Sequence, residues 1–369
     1  MIKAEIVAHS LSPQRDELIS VLCTFPRIIL AEVNTHRMLS KNTSSSRAIP
    51  FKKMVEAIEN DPFIPIAWQK EHKGMQGSEY ITKEVFIKEA NANWLQARDY
   101  AVKQAEYLSQ TCQVTKQLCN RLLEPFMWTT MLITGSKEGW DNFFNLRCPQ
   151  YQTPVSQTIE PQYSWKDLIE NHSNPINLKL LEDNKDNILF KLQHNKGQAE
   201  IHMMALAECI YDAVNESTPK QLESNQWHIP FEDKLDEDKI EDFLRGPYRA
   251  SYIRKDGDIT QAKIEISTAM AARTSYTVVG NEKDIDYSKM IELHDRLLSQ
   301  NPPHSSPLEH CGRAMTDDEY YLFNRGQASI DTWSKSPSEL YFSTDSRGWC
   351  NNLKGFIPYR YFIDNNLEI

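Results

Sequence analysis

The strongest periodic pattern in the chain predicts an amphipathic helix over residues 198–214. Met203, Leu206, Ile210 and Ala213 recur at the spacing that places side chains on one helix face. Such a helix needs an apolar layer to pack on, because most helical stability in proteins comes from tertiary packing. The pattern therefore requires a folded core with further elements beside this helix.

Those further elements are of both kinds. The run SVLCTFPRIILAEV at 20–33 is apolar and β-branched, which predicts a strand that leads into a helix or loop. Helical patterns are predicted at about 85–123 (ended by Pro125), from Gly135 to Asn145, at 266–276 and at 289–298, and a closing strand within 341–369. Residues 52–80 are predicted to be irregular, 150–195 a polar insertion and 215–260 a charged connection.

Composition excludes several classes of protein. No apolar run approaches the length that spans a bilayer, and the first residues lack the apolar segment of a signal peptide, so we expect a cytoplasmic protein with no membrane partner. The seven cysteines are odd in number and form no CxxC pair, which favours free thiols over a disulfide or zinc framework. The net charge of −10 argues against a general nucleic-acid binder.

The charge is unevenly distributed. Between Arg27 and Lys53 six cations accompany a single anion, Glu32. Within this basic segment, THRMLSKNTSSSR at 35–47 places two arginines, a histidine and several hydroxyls close together. Arginine binds phosphate through two hydrogen bonds, and hydroxyls with loop N–H groups complete an anion site. The alternative for such a loop taken alone is a solvated segment with an ordinary helix cap.

Residues 35–47 resemble the RHRxxSxNxxSxR signature of the flavin-dependent thymidylate synthases. Every signature position is kept except the first arginine, which is Thr35 here. Upstream, PRIILAEV resembles the family's apolar strand, with Glu32 at the position of the family's glutamine.

Five more blocks resemble the same family. They are NRLLEP at 120–125, WDNFFNLR at 140–147, GQAEI at 197–201, AARTSY at 271–276 and HSSPLEH at 304–310. The last two precede the RHR-type block in the family and follow it here, so the blocks run in a circularly permuted order. Permutation at a surface connection is tolerated because chain termini of a domain often lie close together. Two family contacts to the flavin fall on Ser136 and Glu138, which depart from the pattern.

The resemblance implies an α+β fold in which one antiparallel sheet is flanked by helices. It implies a single permuted domain over 1–369, with insertions at about 52–85 and 150–195 and the family's N-terminal half at about 262–369. It also implies a homotetramer that shares active sites between subunits, FAD as cofactor, and methylenetetrahydrofolate and NADPH as co-substrates. The implied reaction methylates the pyrimidine deoxynucleotide dUMP at C5, without an enzyme nucleophile.

The resemblance further assigns roles to individual residues. Arg147 and His304 are expected to be catalytic, with Arg147 beside the pyrimidine ring, where a permanent cation stabilises developing negative charge. Nucleotide binding is expected from Glu32, Thr43, Ser44, Ser45, Ser46, Arg47, Arg121 and Arg147. FAD binding is expected from His36, Arg37, Asn142, Ser275, Ser306 and Glu309, and no metal is expected.

Two other functions stay open at this point. The carboxylate of Glu32 accepts hydrogen bonds only, so it could favour a base with an exocyclic amine, which points to methylation or hydroxymethylation of dCMP. The departures at Thr35, Ser136 and Glu138 also allow a catalytically silent nucleotide-binding protein. A metal site formed by His304, His310 and Cys311 is disfavoured because no second ligand cluster is visible. Structural histidines are the more serious alternative for His310.

Overall fold

The computed structural model describes residues 1–73, 77, 79–152, 161–171, 174–245, 259–275, 285–323 and 347–368. Its centre is a five-stranded sheet in the order β3-β4-β2-β1-β5, antiparallel except for the short parallel pair β1–β5. The strands are β1 (Lys3–Leu11), β2 (Glu17–Pro26), β3 (Ser40–Thr43), β4 (Trp128–Ser136) and β5 (Lys220–Gln221). The expected α+β fold with an antiparallel sheet flanked by helices is confirmed.

Helices cover both faces of this sheet. In order along the chain, the first nine are α1 (Leu30–Asn34), α2 (Phe51–Asn60), α3 (Glu84–Gln110), α4 (Lys116–Cys119), α5 (Lys137–Arg147), α6 (Trp165–Glu170), α7 (Pro175–Asp183), α8 (Ile188–Gln193) and α9 (Ile201–Glu216). They are followed by α10 (Glu237–Arg245), α11 (Ile259–Arg273), α12 (Tyr287–Leu298), α13 (Asp317–Leu322) and α14 (Tyr359–Asp364). Short 3₁₀ segments lie at Arg27–Ile29, Asn120–Phe126, Glu232–Lys234 and Ser306–Glu309.

Smaller sheets complete the C-terminal half. One has the order β10-β7-β6, from β6 (Trp227–His228), β7 (Gly312–Ala314) and β10 (Phe356–Pro358). The other is a hairpin of β8 (Trp349–Cys350) and β9 (Leu353–Lys354). No helix among the described residues is long and apolar enough to cross a bilayer.

Strand β2 is central and is buried on both faces. Ile19, Val21 and Phe25 belong to a core with α5 and α9, whereas Leu22 belongs to a second core with α11 and α12. A strand that is buried on both faces has a continuous apolar sequence rather than an alternation of apolar and polar residues. This is why the sequence of 20–33 predicted a strand. Helix α9 packs on β1 and β2, and its predicted amphipathic pattern is confirmed.

Several predicted boundaries are wrong. Residues 51–60 form α2, whose Met54 and Ile58 pack in a core with α3, so the segment after 52 is not wholly irregular. The long helix ends at Gln110 rather than at Pro125, which lies inside a 3₁₀ turn. The final YRYFI is helical, in α14, and only Phe356–Pro358 forms the expected strand.

Three further predictions need correction. Gly135 belongs to β4 and helix α5 starts two residues later, at Lys137. The supposed polar insertion contains α6, α7 and α8, and the charged connection contains α10. The assignment of 1–369 to one permuted domain stays a prediction.

Candidate active site

The edge strand β3 is the element around which the family-like blocks gather. It pairs antiparallel with β4, from Ser40 opposite Thr134 to Thr43 opposite Met131. Side-chain contacts gather at both of its ends, which are about 10 Å apart at the usual rise per strand residue. The first end follows the loop after α1, and the second leads into residues 44–47.

At the first end, Arg147 is held against His36. The guanidinium Nε donates to His36 Nε2 at 2.9 Å, and Nη2 donates to Thr35 Oγ1 at 3.4 Å. Arg147 is the last residue of α5, where the helix dipole favours a cation. The imidazole of His36 also meets Phe143 edge to face, with ring centroids 4.9 Å apart. Two sequence blocks more than a hundred residues apart thus form one local site.

His36 acts here as a neutral acceptor. Burial, with smaller contributions from the nearby cations Arg147 and Lys41, lowers its pKa to about 4. Because the ring is uncharged at neutral pH, Nε2 can accept from the guanidinium without charge repulsion. Within the described part of the chain, Arg147 donates through Nε and Nη2, which leaves Nη1 for a ligand.

Glu32 belongs to the same patch. It lies in α1, and the backbone amide of Thr35, the C-cap of that helix, donates to the Glu32 carbonyl. The hydroxyl of Thr35 donates to the Glu32 carbonyl at 2.6 Å. Oxygen Oε2 of Glu32 is buried, and no donor among the described residues lies within hydrogen-bond distance of it. The carboxylate therefore has one buried oxygen without a hydrogen bond among the described residues.

At the second end of β3, the serine hydroxyls fold the loop. Ser44 Oγ shares a 2.7 Å hydrogen bond with Thr129 Oγ1 and accepts from the Thr130 amide at 3.1 Å. The Ser46 hydroxyl donates to Glu124, and Ser46 itself is 1% exposed. These contacts do not support the expectation that Ser44 and Ser46 bind a phosphate, because both hydroxyls are used to hold the loop.

The cations at this end differ in their surroundings. Arg27 donates to the Ser44 carbonyl at 2.8 Å and lies 3.5 Å from the carboxylate of Glu124. Arg47 and Arg121 are exposed. These two remain available to an anionic ligand, together with Thr43 and Ser45, which are half-buried. Arg27 and Glu124 together hold this loop in place, and the sequence analysis had assigned neither of them to the site.

The AARTSY block docks directly on β3. The Asn42 side-chain amide donates to the Ala271 carbonyl at 3.2 Å. The Ser45 amide donates to the Ser275 carbonyl at 3.0 Å. Ser275, a predicted flavin contact, therefore lies at the second end of the strand, away from Arg147. Tyr276, the last residue of the block, lies outside the described residues.

The HSSPLEH block brings Glu309 to β3. The 3₁₀ segment Ser306–Glu309 packs against this strand, and Arg360 donates to the Glu309 carboxylate. Burial lowers the pKa of the nearby Lys41 to about 8, an effect that Glu309 partly opposes. A cavity of about 340 Å³ opens here, lined by Ser40, Glu309, Asn351, Asn352, Leu353, Pro358, Arg360 and Asp364. Lys41 and Arg360 were missed, although Lys41 belongs to the basic segment.

The two histidines of this block have different surroundings. His304 is exposed, and its backbone amide donates to the Leu297 carbonyl. His310 is fully buried, and its Nδ1 lies 2.8 Å from Thr134 Oγ1. Cys311 contacts Ser267 instead, at 3.4 Å. These positions give no support to a shared metal, and no group of three potential metal ligands occurs among the described residues.

The departures at Ser136 and Glu138 have a structural explanation. The Lys354 amide donates to Ser136 Oγ at 2.7 Å, and Lys354 Nζ lies 2.7 Å from Glu138 and 3.3 Å from Asp16. Both positions are thus occupied by the β8–β9 hairpin. The same hairpin reaches the Arg37 carbonyl through the amide of Asn352 at 3.2 Å.

Two predicted flavin contacts are exposed: the side chains of Arg37 and Asn142 both face solvent. The predicted flavin set therefore does not gather at one point of the chain. His36, Arg37 and Glu309 lie around the first end of β3, and Ser275 lies at the other.

Comparison with known proteins gives structural overlaps only. No protein-family model and no curated protein sequence matches the chain. A UMP/dUMP methylase PolB from Streptomyces cacaoi, bound with 5-Br dUMP, overlaps 53% of this chain and 93% of its own, at 12% identity and a TM-score of 0.33. Thymidylate Synthase X (ThyX) from Helicobacter pylori, with FAD and dUMP, overlaps 53% and 73%, at 14% identity and a TM-score of 0.24. Overlaps at these TM-scores do not define a common fold, so the function rests on the residues of the site.

Proposed function

We propose that the chain is a flavin-dependent enzyme that transfers a one-carbon group to C5 of a pyrimidine deoxynucleotide. The observation that carries the proposal is the Arg147–His36 pair at the edge of β3. A guanidinium oriented by a neutral imidazole presents a fixed positive charge, and such a charge stabilises negative charge that develops on a pyrimidine ring during attack at C5. The motif resemblance supports the same chemistry.

The residues divide into four proposed roles. Arg147 faces the base, and the exposed Arg47 and Arg121 bind the nucleotide phosphate with Thr43 and Ser45. His304, which is exposed, faces the cofactor and the carbon donor. Flavin contacts come from His36, Arg37, Asn142, Ser275, Ser306 and Glu309.

Most of the residues proposed to contact FAD lie where the cofactor could bind. The cavity beside Ser40 and Glu309 has the volume of a small-ligand pocket, and its polar wall suits a flat ring with amide edges. Arg37, exposed at the adjoining loop, suits a pyrophosphate. FAD would supply reducing equivalents at this position. Ser275 fits less well because it lies at the opposite end of β3.

The proposed reaction balances with the expected co-substrates. For dUMP, the C5–H bond is replaced by C5–CH₃, methylenetetrahydrofolate supplies the carbon and leaves as tetrahydrofolate, and NADPH with one proton supplies two hydrogens. A hydroxymethyl product would need water in place of NADPH. For dUMP the product is dTMP. The unpartnered oxygen of Glu32 favours dCMP as a second candidate substrate.

A homo-oligomer, of tetramer form by resemblance, is part of the proposal. Arg147 and Arg121 belong to opposite ends of β3 within one chain. Around Arg121 the side chains of Leu118 and Leu122 are 59% and 43% exposed, and Ile28 is 41% exposed. Exposed apolar side chains beside the exposed cations Arg47 and Arg121 are suited to contact with a second copy of the chain. Such a contact would bring Arg121 to the Arg147 of that second copy.

The test combines spectroscopy, product analysis and complementation. Purified protein should bind FAD, seen as a flavin absorbance spectrum, and should convert a pyrimidine deoxynucleotide with methylenetetrahydrofolate and NADPH to a product identified by mass. Arg147→Ala and Arg121→Ala should each be inactive, and their mixture should regain activity if sites are shared between copies. A protein that binds a nucleotide but no FAD would instead support a catalytically silent binding protein.

A further inference from the structure

The carboxylate of Glu32 needs a hydrogen-bond donor that the chain does not provide. Its Oε2 is buried, and no described residue donates to it. Ion pairs within 4 Å are recorded for many carboxylates among the described residues, but none joins Glu32 to a cation. Buried polar atoms in folded proteins are almost always paired. Because an ionised carboxylate can only accept, the partner must bring a donor.

The nearest candidates within the patch have other partners. Arg147 donates to His36 and Thr35. Lys41 donates to the carbonyl of His36. The hydroxyl of Thr35 donates to the backbone carbonyl of Glu32 rather than to its side chain. These contacts hold the patch together while the Glu32 carboxylate is left for a ligand.

The position of Glu32 relates it to the base rather than to the phosphate. Glu32 lies in α1, the amide of its C-cap Thr35 donates to the Glu32 carbonyl, and Arg147 binds Thr35 and the following His36. The proposed phosphate residues of the same chain lie at the other end of β3, about 10 Å away at the rise of a strand, and in an oligomer with shared sites they would come from a second copy. Under the proposed function, the group that Glu32 meets is therefore an edge of the pyrimidine.

We propose that Glu32 selects a 4-aminopyrimidine nucleotide, of the cytosine type, over a uracil nucleotide. This inference rests on the proposed function. The exocyclic amine of cytosine donates to a carboxylate, which is a recurrent pairing of Glu or Asp with this base. Uracil carries the acceptor O4 at the same place, so its oxygen would face the carboxylate. Its only edge donor, N3–H, lies between two carbonyl acceptors.

Arg147 complements this arrangement. It is a donor-only group, and cytosine carries acceptors at N3 and O2 beside the amine. A donor from Arg147 and an acceptor from Glu32 would therefore match neighbouring positions of one base edge. The same pair facing uracil would leave two acceptors opposed, and an unpaired buried polar group of this kind gives strong discrimination.

The experiment compares dCMP with dUMP in two measurements: turnover by the flavin-loaded enzyme, and binding to the protein under conditions that allow no turnover. We expect kcat/KM for dCMP to exceed that for dUMP by about tenfold or more, the size of one base contact. Titration calorimetry without folate should show the same order of affinity. Glu32→Gln, whose amide can donate to O4, should reduce or reverse both ratios. The matched control Glu89→Gln changes an exposed carboxylate on α3 and should leave both ratios unchanged.

The outcomes are separable. A wild-type preference for dUMP in both turnover and binding would overturn the inference while leaving the proposed function in place. The same holds if Glu32→Gln folds, binds FAD and keeps the wild-type ratio. If Glu32→Gln does not fold, the wild-type ratios decide alone. Absence of FAD binding and of turnover with either nucleotide would overturn the proposed function itself.

Discussion

At the scale of single residues, the central feature is a cation that depends on a neutral imidazole. The Nε of Arg147 can donate to His36 only while that ring nitrogen carries no proton. Partial burial and two neighbouring cations lower the pKa of His36 to about 4, so this condition holds across the physiological range. The histidine thus positions the arginine, and the arginine adds to the effect of burial that keeps the histidine neutral.

Removing the arginine tests both halves of this relation. Arg147→Ala should lower kcat by about 10²–10³-fold, the loss typical of one group that stabilises transition-state charge, while FAD binding is retained. It should also raise the pKa of His36, because one of the groups that lowers it is gone. Turnover assays and an NMR titration of the histidines measure the two effects. Arg245→Ala, at a side chain 70% exposed, is the control, and unchanged turnover in Arg147→Ala would refute the assigned role.

At the scale of elements, the β8–β9 hairpin contacts Ser136 and Glu138, two of the positions that depart from the motif pattern. Gly348 and Gly355 flank it with φ of +73° and +74°, a backbone region that other residues rarely adopt. Between them, Lys354 inserts its ammonium between Asp16 and Glu138, and the three side chains are 15%, 10% and 39% exposed. The hairpin is therefore fastened to the start of α5 by a shielded cation.

Lys354→Met should detach this hairpin. Two carboxylates would lose their shared cation, and the free energy of unfolding should fall by about 1–2 kcal/mol, less than for a fully buried pair because Glu138 keeps solvent contact. Denaturant titration measures the change, and faster proteolysis within 347–355 would place it. Lys166→Met breaks a solvent-exposed pair with Glu216 and should leave stability unchanged. Equal stability of both variants would contradict the proposed fastening.

The sequence predicted elements best where burial repeats along the chain. Helices α9, α11 and α12 were recognised because each carries many apolar residues that pack on the sheet or on each other. The sequence analysis placed Gly135 in a helix rather than at the end of β4, because the glycine there relates to a residue that is far away in sequence. A Cβ on Gly135 would lie 2.3 Å from Leu39 Cδ2, so a larger residue there would displace a leucine that is buried in the core. Local propensity does not contain such information.

The candidate site follows the same rule. Motif spacing predicted that Arg147 and His36 would belong to one site, and the hydrogen bond between them agrees with that grouping. Motif spacing did not predict that the hydroxyls of Ser44 and Ser46 form hydrogen bonds that hold the loop. Their partners, Thr129 and Glu124, lie about eighty residues away in sequence. The role of the hairpin was likewise hidden, because Lys354 meets Ser136 and Glu138 only in the folded chain.

At the scale of the whole molecule, a buried polar chain joins the large sheet to the C-terminal half. His228 Nδ1 lies 2.9 Å from Ser10 Oγ, and its Nε2 lies 2.8 Å from Ser20 Oγ. Ser20 continues to Thr134 at 2.6 Å, and Thr134 to His310 Nδ1 at 2.8 Å. Both histidines are buried, with 1% and 0% exposure, and neither is used in the proposed reaction.

These two histidines should make the fold sensitive to acid. Burial lowers the pKa of each to about 3, against 6.5 for an unperturbed histidine. Between these values the unfolded chain binds two protons that the folded chain excludes, so stability is fully present above pH 6.5 and is lost as the pH falls below it. Each histidine contributes about 1.4 kcal/mol per pH unit.

Denaturant titrations at several pH values measure this slope. His228→Gln carries an amide that can hydrogen-bond to the neighbouring serine hydroxyls but cannot be protonated, so it should remove about 1.4 kcal/mol per pH unit from the slope between pH 6 and 4. His304→Gln changes an exposed histidine and should leave the slope as it is. Asp212, whose pKa burial raises to about 6, acts in the opposite direction in all three proteins and cancels in the comparison. Equal slopes for the wild type and His228→Gln would mean that His228 is protonated inside the fold, and the buried chain would then not be a neutral one.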